Sequence, residues 1–499
     1  MTASRTPVVQ LQRRRLGMIH IMFFTLTAVA PLSVLAGSIV PTYALSGVTA
    51  YPLAMVVIAV PLALFVFGYA AMSRYVANAG AFYSYLAHGL GPTVAVAGAF
   101  VALVAYNGLQ IAIYGVWGPV VADYVKQQTG VDLPWWVYAL AALVIVGMLG
   151  VLRIDLNAKL LAVALAAEVI IVVVFFDIGA FTHPAEGAAV AAAWSPSALF
   201  VPGAGAVIAL GVSAFTGFEQ GAIYGEEVRN PRVTVARATF ATLAIAVVLF
   251  AVSSWAMLVT VGPSAIQKSA TDQGPGLVFS TLDQQWGGAI STIATLLFFT
   301  GIFASLVSFH NGIARYFFAL GREHVLPGWL GRVGVRSGGP SAGSLLQTVL
   351  AVVLILVFVI AGADPLLQMY AWLAALSAVA ILVLMAGTSV AVIGFFRKRT
   401  SRESVWHRVI APTLATVGLL TLLVVVVGNF DALGIDPASP LRWGLPALVA
   451  VAVVAGVARA QRLRAVRPEL YAAIGTTGMS IDEGDEPEVG HHSRHTQLF

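Results

Sequence analysis

Glycine-containing interruptions in two long apolar runs are the parts of this sequence best suited to binding chemistry. One interruption reads Gly37-Ser38-Ile39 and the other reads Phe215-Thr216-Gly217. Within a lipid bilayer every backbone N–H and C=O must be paired, so a broken helix is tolerated only inside protein or beside a water-filled cavity. Helix N-termini present N–H donors and C-termini present carbonyl acceptors, so the two interruptions predict a site for a small charged molecule.

A carboxyl group in the middle of another apolar run indicates an ion pathway. Glu168 lies within residues 157–176, roughly 16 Å along a helix from the start of that run. A charge near the bilayer centre is costly, so such residues mark ion or proton pathways, and loss of solvent favours the neutral acid. Three roles remain open for Glu168: a proton carrier, a structural carboxyl hydrogen-bonded to the interruptions, or a sodium ligand.

Polar side chains also form a stripe on one apolar run. Asn107, Gln110 and Tyr114 follow the spacing i, i+3 and i+7, which places them on one helical face. Polar groups turn away from lipid, so this face predicts either the lining of a pocket or hydrogen bonds between helices.

The elements that position these residues are membrane-spanning helices. Hydrophobic residues make up 59% of the 499 residues and charged residues only 10%, against roughly 25% charged residues in soluble domains. We predict an all-α integral membrane protein with 12 spans, each long enough to cross the hydrocarbon core. The predicted spans are residues 16–44, 52–73, 92–122, 135–152, 157–176, 203–225, 235–261, 287–320, 342–360, 366–396, 405–427 and 441–457.

The distribution of basic residues predicts the orientation of these spans. Alternating the 12 spans across the membrane places about 24 Lys and Arg on the side of both termini and about 3 on the other side. The positive-inside rule then places both termini in the cytoplasm, and the cytoplasmic membrane is the expected location. The net charge of +5 is explained by this topology and not by nucleic-acid binding. The sequence has no nucleotide-binding loop, no metal motif and no cysteine, so we expect no enzyme activity, no cofactor and no metal.

Three segments resemble the amino acid–polyamine–organocation (APC) superfamily. They are Ala36-Gly37-Ser38-Ile39, the tyrosine-rich stretch 78–85, and Phe215-Thr216-Gly217-Phe218-Glu219 with its continuation through residues 225–231. The chain departs from the family pattern at Ile39, Ala77, Ala81 and Ala236. The resemblance implies a LeuT-type inverted repeat of five plus five helices, with helices 1 and 6 discontinuous. It implies repeat one at about 16–180, repeat two at about 200–397 and extra helices at about 405–460, all within a transporter domain of residues 16–460. A cytoplasmic tail of residues 1–15 precedes this domain, and a disordered cytoplasmic tail of residues 461–499 follows it.

The resemblance also implies roles for individual residues. An amino acid would place its carboxylate on the N–H groups of Gly37, Ser38 and Ile39, and its ammonium on the carbonyls of Phe215, Thr216 and Gly217. The family match places Asn107, and with it Gln110, against the substrate. Glu219 corresponds to a family carboxyl that links the site to the cytoplasmic gate and can sense pH, so it is a second candidate for proton coupling. The alternative is a local hydrogen bond to the interruption. Proton-coupled relatives have a lysine at the place of Glu168. Ser305 and Ser308 lie where sodium-coupled relatives bind sodium, and Phe218 and Trp372 are candidate aromatic gates.

These features predict a secondary active transporter that imports an amino acid by alternating access. Proton-coupled symport of a neutral amino acid is the favoured interpretation. Protons are favoured because oxygen ligands for sodium are sparse around Ser305 and Ser308, and a neutral substrate is favoured because the predicted pocket residues are neutral. An exchanger of amino acids or polyamines, a sodium-coupled symporter and a membrane amino-acid sensor are the alternatives. The expected partners are the amino acid, protons or sodium, and the lipid bilayer, and the protein is expected to be a monomer or homodimer.

Overall fold

Helices form nearly all of the described structure. The computed structural model describes residues 17–77, 82–152, 158–182, 184–186, 191–224, 228, 231–334, 339–399, 401–475 and 479–480. Within these residues, Val76–Ala77 (β1) pairs with Met479–Ser480 (β2) in an antiparallel ladder, and the other elements are helical. The N-terminal tail 1–15, residues 78–81 and most of the stretch 225–230 lie outside the described residues, as does the tail beyond residue 480.

The α-helices are α1 (Met18–Val29), α2 (Pro31–Val34), α3 (Val40–Ser46), α4 (Tyr51–Ser73), α5 (Phe82–Leu90), α6 (Pro92–Thr129), α7 (Trp135–Leu152), α8 (Ala158–Ile170), α9 (Gly179–Thr182), α10 (Ala204–Phe215), α11 (Pro231–Val261), α12 (Ile266–Gln273), α13 (Gly276–Trp286), α14 (Gly288–Arg322), α15 (Ser341–Ile360), α16 (Ala371–Arg397), α17 (Ala411–Gly428), α18 (Leu441–Val466) and α19 (Pro468–Ala472). Turns of π-helix occupy Leu35–Ile39, Ile171–Ile178, Pro365–Tyr370 and Trp406–Ile410. Short 3-10 helices occupy Ala192–Trp194, Pro196–Leu199, Phe218–Tyr224, Gly328–Gly331 and Phe430–Leu433.

The first span is interrupted at Ala30, and not at Gly37 as predicted. Ala30 adopts a left-handed conformation (φ 40°, ψ 87°), and Pro31 starts the next helix. Proline lacks the N–H that would continue α1, but it fits the first position of a new helix, where that N–H has no partner. Gly37 instead lies in the π turn Leu35–Ile39, which joins α2 to α3 without a gap. A side chain at Gly37 would press on α6, because its Cβ would lie 3.1 Å from Cγ1 of Val116.

The predicted span 203–225 consists of two short pieces. The helix α10 ends at Phe215, Thr216 is extended (ψ 127°), and a 3-10 helix begins at Phe218. Gly217 has φ of 120°, a conformation that side-chain-bearing residues rarely adopt, so glycine is required there. Neither piece is long enough to cross a membrane alone, and the described residues contain 11 helices that are long and apolar enough to do so.

The spans pack around α6 and α16, which contact each other and are among the most buried. Helix α4 packs against α11 and α17, and α14 contacts α1, α6, α8 and α15. One hydrophobic core in the described residues extends from Ile21 to Ile474, so both predicted repeats contribute to it. Of the 11 long apolar helices, α15 and α18 have the smallest buried share, as expected for spans that contact lipid.

Helical structure continues past residue 460, where the sequence predicts a disordered tail. Helix α18 ends at Val466 and α19 follows. Leu463 and Ile474 are buried, and the N–H of Gly475 donates to Oε2 of Glu323 at 2.7 Å. These few apolar side chains fix a segment whose overall composition is polar, so the predicted start of disorder at residue 461 is wrong.

Candidate functional site

A buried carboxylate caps the interruption in the first span. Oε1 of Glu168 accepts a hydrogen bond from the N–H of Leu32 at 2.7 Å, and the N–H of Ser33 lies near the same carboxylate. These N–H groups belong to the first turn after Pro31, where no preceding helix supplies carbonyl partners. Glu168 is only 3% exposed, so its carboxylate replaces both the missing carbonyls and the solvent.

Helix α14 approaches Glu168 closely at a glycine. A Cβ atom added to Gly301 would lie 2.7 Å from Oε2 of Glu168, which is closer than real Cβ atoms come to an oxygen. The absence of a side chain at Gly301 therefore leaves the space in which the carboxylate reaches the interruption. Ser305 lies one turn further along α14, so α8, α14 and the first interruption meet at this point.

A second buried carboxylate holds the other interruption. Oε2 of Glu219 accepts from the N–H of Gly217 at 2.9 Å, and Oε1 accepts from the hydroxyl of Tyr106 on α6 at 2.9 Å. The backbone carbonyl of Glu219 accepts from the hydroxyl of Tyr69 on α4 at 2.9 Å. Glu219 therefore ties the extended backbone to two neighbouring helices, and the local hydrogen bond that the sequence left as an alternative is present.

A cavity of about 50 Å³ lies between the two interruptions, with space for roughly a few water molecules. Its polar lining residues carry hydroxyl groups, and none of the described residues that line it is charged. The hydroxyl residues are Ser33, Ser38, Ser213, Thr216, Ser305 and Tyr370. The other lining residues are Val29, Ala30, Val34, Gly37, Leu109, Ile113, Val116, Ala214, Ile302 and Phe309.

Two of the lining hydroxyls have no partner among the described residues. Oγ of Ser33 and Oγ of Ser38 are both buried without a hydrogen bond, and Ser38 is 4% exposed. An unpaired buried hydroxyl costs free energy unless a ligand or water completes its hydrogen bonds. These two hydroxyls are therefore the groups most available to a bound molecule.

The predicted backbone donors and acceptors are only partly placed at the cavity. Gly37 and Ser38 line it, but they lie in a continuous π turn, so their N–H groups are not the free ones at a helix start. Ile39 is buried and does not line the cavity. Of the predicted acceptors, Thr216 lines the cavity and Phe215 does not; the Phe215 ring packs at a tilt against that of Phe250, with centroids 5.3 Å apart. The carbonyl of Gly217 accepts from the N–H of Gln220 at 3.1 Å.

The polar stripe of α6 does not line the cavity, and only Gln110 is seen to bond to neighbouring helices. Nε2 of Gln110 donates to the carbonyl of Leu306 on α14 at 3.3 Å, and Oε1 of Gln110 accepts from Gln347 on α15. Nδ2 of Asn107 donates to the carbonyl of Leu103 one turn earlier on its own helix. Because each residue turns a helix by roughly 100°, the neighbouring face of α6 is the one that lines the cavity. That face carries Leu109, Ile113 and Val116.

The remaining predicted site residues divide between the cavity wall and the packed interior. Ser305 lines the cavity, and Ser308 is buried on the same helix outside it. Phe218 is fully buried just after the second interruption. Trp372 is half-buried, and its Nε1–H donates to the carbonyl of Leu433 at 3.2 Å. Neither aromatic side chain borders the cavity in this conformation.

Several cavity residues were not predicted from the sequence. Ser33 follows the Ala30–Pro31 break, and the proline was a local signal that a new helix starts there. Ser213 lies one turn before Thr216. Tyr370 ends a π turn on a distant part of the chain, and Ile302 lies on the apolar face of α14, so no pattern near either residue distinguishes it from core packing.

Comparison with known proteins places this geometry in context. A family model described as amino acid permease matches residues 20–460. The branched-chain amino acid permease BcaP of Lactococcus lactis subsp. cremoris is 31% identical over 141 residues, 28% of this chain and 29% of that relative. Uncharacterized transporters of Mycobacterium bovis and Mycobacterium tuberculosis are each 28% identical over 138 residues, 27% of this chain and 29% of each relative. The matched part is thus less than a third of the length of these curated relatives.

Proposed function

Because this chain belongs to the amino acid permease family, we propose that it imports a neutral amino acid with an apolar side chain, by symport with protons. One observation carries the choice of substrate: the described residues that line the cavity between the two interruptions have hydroxyl or apolar side chains, and none of them is charged. Family membership and the names of the relatives support a transporter and not an enzyme.

The absence of charge on the cavity wall argues against a cationic amino acid or a polyamine. Burying an ammonium group without a counter-charge is costly, and such a side chain would need a carboxylate beside it. The two nearby carboxylates, Glu168 and Glu219, are already hydrogen-bonded to the interrupted backbone. An aliphatic side chain would instead fill the space beside Ile113, Val116 and Ile302. The branched-chain specificity in the name of the Lactococcus relative supports the same class.

Both ends of a zwitterionic backbone would find partners at this cavity. The substrate carboxylate would lie at the first interruption, near the free hydroxyls of Ser33 and Ser38. The ammonium would lie at the C-terminal end of α10, where Ser213, Ala214 and Thr216 border the cavity. A helix C-terminus carries a partial negative charge and favours a cation there.

The proposed transport cycle is alternating access in an inverted repeat of five plus five helices. The two pieces of residues 203–225, added to the 11 long apolar helices, make up the proposed set of 12 spans. We place the protein in the cytoplasmic membrane with both termini inside, and α17 and α18 outside the repeat.

Uptake into proteoliposomes tests this function. Purified protein would be reconstituted in sodium-free buffer and supplied with radiolabelled leucine, isoleucine or valine, with and without an inward proton gradient. We expect the gradient to drive accumulation of these substrates, and lysine and putrescine to compete poorly. The variant Glu168→Gln should abolish accumulation and preserve binding. A requirement for sodium would support the sodium-coupled alternative, and a requirement for internal amino acid would support exchange.

A further inference from the structure

We propose that Glu168 competes with the carboxylate of the substrate for the first interruption, so that the substrate binds there only after Glu168 has taken up a proton. This inference rests on the proposed function, because it needs an amino acid as the ligand. It specifies how one side chain couples the proton to the substrate.

The competition follows from the number of free donors. The helical stretch from Pro31 to Ser46 starts with a proline, which has no N–H, so the first donors are those of Leu32 and Ser33. The N–H of Leu32 donates to Oε1 of Glu168 at 2.7 Å, and the N–H of Ser33 lies near the same carboxylate. The next N–H, that of Val34, already donates to the carbonyl of Ala30 at 2.9 Å. An incoming carboxylate therefore finds the Leu32 and Val34 donors occupied, and Glu168 already lies beside the remaining donor, that of Ser33.

The cavity reaches the same helix start. Ala30 and Ser33 line it, and so does Ser38, whose buried hydroxyl has no partner among the described residues. A substrate carboxylate that bonded to Ser33 and Ser38 would thus lie beside the donors that Glu168 uses. Two neighbouring carboxylates repel each other when both are ionised, and a single helix N-terminus stabilises one negative charge better than two.

The described surroundings of Glu168 supply no other charge that would relieve this repulsion. Helix α2 carries no titratable residue, and α1 carries only His20 near its start. On α14 the first titratable residue after Gly301 is His310, nine positions along. On its own helical segment the nearest charged residues in sequence are Lys159 and Asp177, each nine positions from Glu168, roughly 13 Å along a helix. Protonation of Glu168 is therefore the direct way to remove the competing charge, and it links one proton to each bound substrate.

Substrate affinity measured against pH tests the competition. Isothermal titration of purified protein between pH 5.5 and 8.5 would use L-leucine and 3-methylbutylamine, which is leucine without its carboxylate. In the wild type we expect leucine affinity to fall about tenfold per pH unit once Glu168 loses its proton, because one proton is taken up per substrate. The affinity for the amine should not follow this titration. In Glu168→Gln, leucine affinity should stay near the low-pH value throughout.

Asp177→Asn is the matched control. Asp177 is also 3% exposed and lies on the same continuous helical segment, but its Oδ2 accepts from Ser253 at 3.1 Å and not from the interruption. This variant should keep the pH dependence of the wild type. Titration of the wild type in buffers of different ionisation enthalpy should show uptake of one proton per leucine, a measurement that needs no variant to fold.

Two kinds of failure are distinguishable. If the wild type neither binds nor accumulates any neutral amino acid, the proposed function fails and this inference falls with it. If the wild type accumulates leucine but binds it without proton uptake, the competition is refuted and the function stands. Retention of the full pH dependence in Glu168→Gln, or its loss in Asp177→Asn, would also overturn the assignment to Glu168.

Discussion

Substitution of Gly301 by alanine should uncouple transport from the proton gradient without unfolding the protein. The added Cβ would lie 2.7 Å from Oε2 of Glu168, whereas ordinary contact begins at 3.4 Å. The carboxylate must therefore retreat by about 0.7 Å. Its bond to the N–H of Leu32 is 2.7 Å long, and a retreat of that size takes it beyond the usual range of an N–H···O bond, roughly 2.7–3.2 Å.

The structure sets the size of the effect. A hydrogen bond to a charged acceptor contributes about 1.5–3 kcal/mol, which corresponds to a change of roughly tenfold to a hundredfold in an equilibrium constant. We expect gradient-driven accumulation of leucine by Gly301→Ala to fall by at least about tenfold. Alanine is also a better helix former than glycine by about 1 kcal/mol. This gain offsets part of the lost hydrogen bond, so the melting temperature of the detergent-solubilised protein should change little although accumulation falls.

The assay is proteoliposome uptake with and without the imposed proton gradient, paired with a thermal melt. Gly288→Ala is the control on the same helix, because a Cβ there would meet only Oδ1 of Asp283 at 3.5 Å. That variant should accumulate leucine like the wild type. Wild-type accumulation by Gly301→Ala would refute the argument that the glycine leaves the space for Glu168, and equal losses in both variants would point to general damage to α14.

Three further substitutions test the cavity and the second interruption. Gly37→Ala should weaken binding of branched side chains about tenfold, because its Cβ would lie 3.1 Å from Cγ1 of Val116, and competition by leucine against labelled alanine would measure this. Ser38→Ala should lower substrate affinity about fivefold without lowering the melting temperature, since the hydroxyl has no partner in the described chain. Tyr106→Phe should lower the unfolding free energy by about 1.5–3 kcal/mol, measured by thermal melting, because Oε1 of Glu219 loses its donor at 2.9 Å.

Each of these has a control and a contradicting result. Val116→Ala in the Gly37→Ala background should restore binding of leucine. If it does not, the contact between the new Cβ and Val116 is not the cause of the weaker binding. A fall in melting temperature of Ser38→Ala with unchanged affinity would remove that hydroxyl from the site. Tyr69→Phe removes a bond to a backbone carbonyl and should cost only about 0.5–1.5 kcal/mol; a loss equal to that of Tyr106→Phe would show that the charge on Glu219 is unimportant.

The sequence alone determined the class of protein, most of the spans and the position of one interruption. Long apolar runs can be read directly from the sequence, and a run of about 20 residues is long enough to cross the bilayer as a helix. Residues 92–122 and 342–360, for example, fall within α6 and α15. Gly217 was identified correctly as part of an interruption. Its φ of 120° is a conformation that favours glycine, so the residue type itself marks the place. Glu168 stood out for the same kind of reason, as a carboxyl in an apolar run.

Only the tertiary structure decided how these features combine. The first interruption lies at Ala30–Pro31, and its free N–H groups meet a carboxylate 136 positions away, at Glu168. Glu219 meets Tyr106 across 113 positions, and Gln110 meets Gln347 across 237. Helical periodicity fixes which residues share a face, but it does not say which face turns toward the cavity. That rotation is set by packing between helices far apart in the chain, so α6 lines the cavity with Leu109, Ile113 and Val116, and its polar stripe makes other contacts.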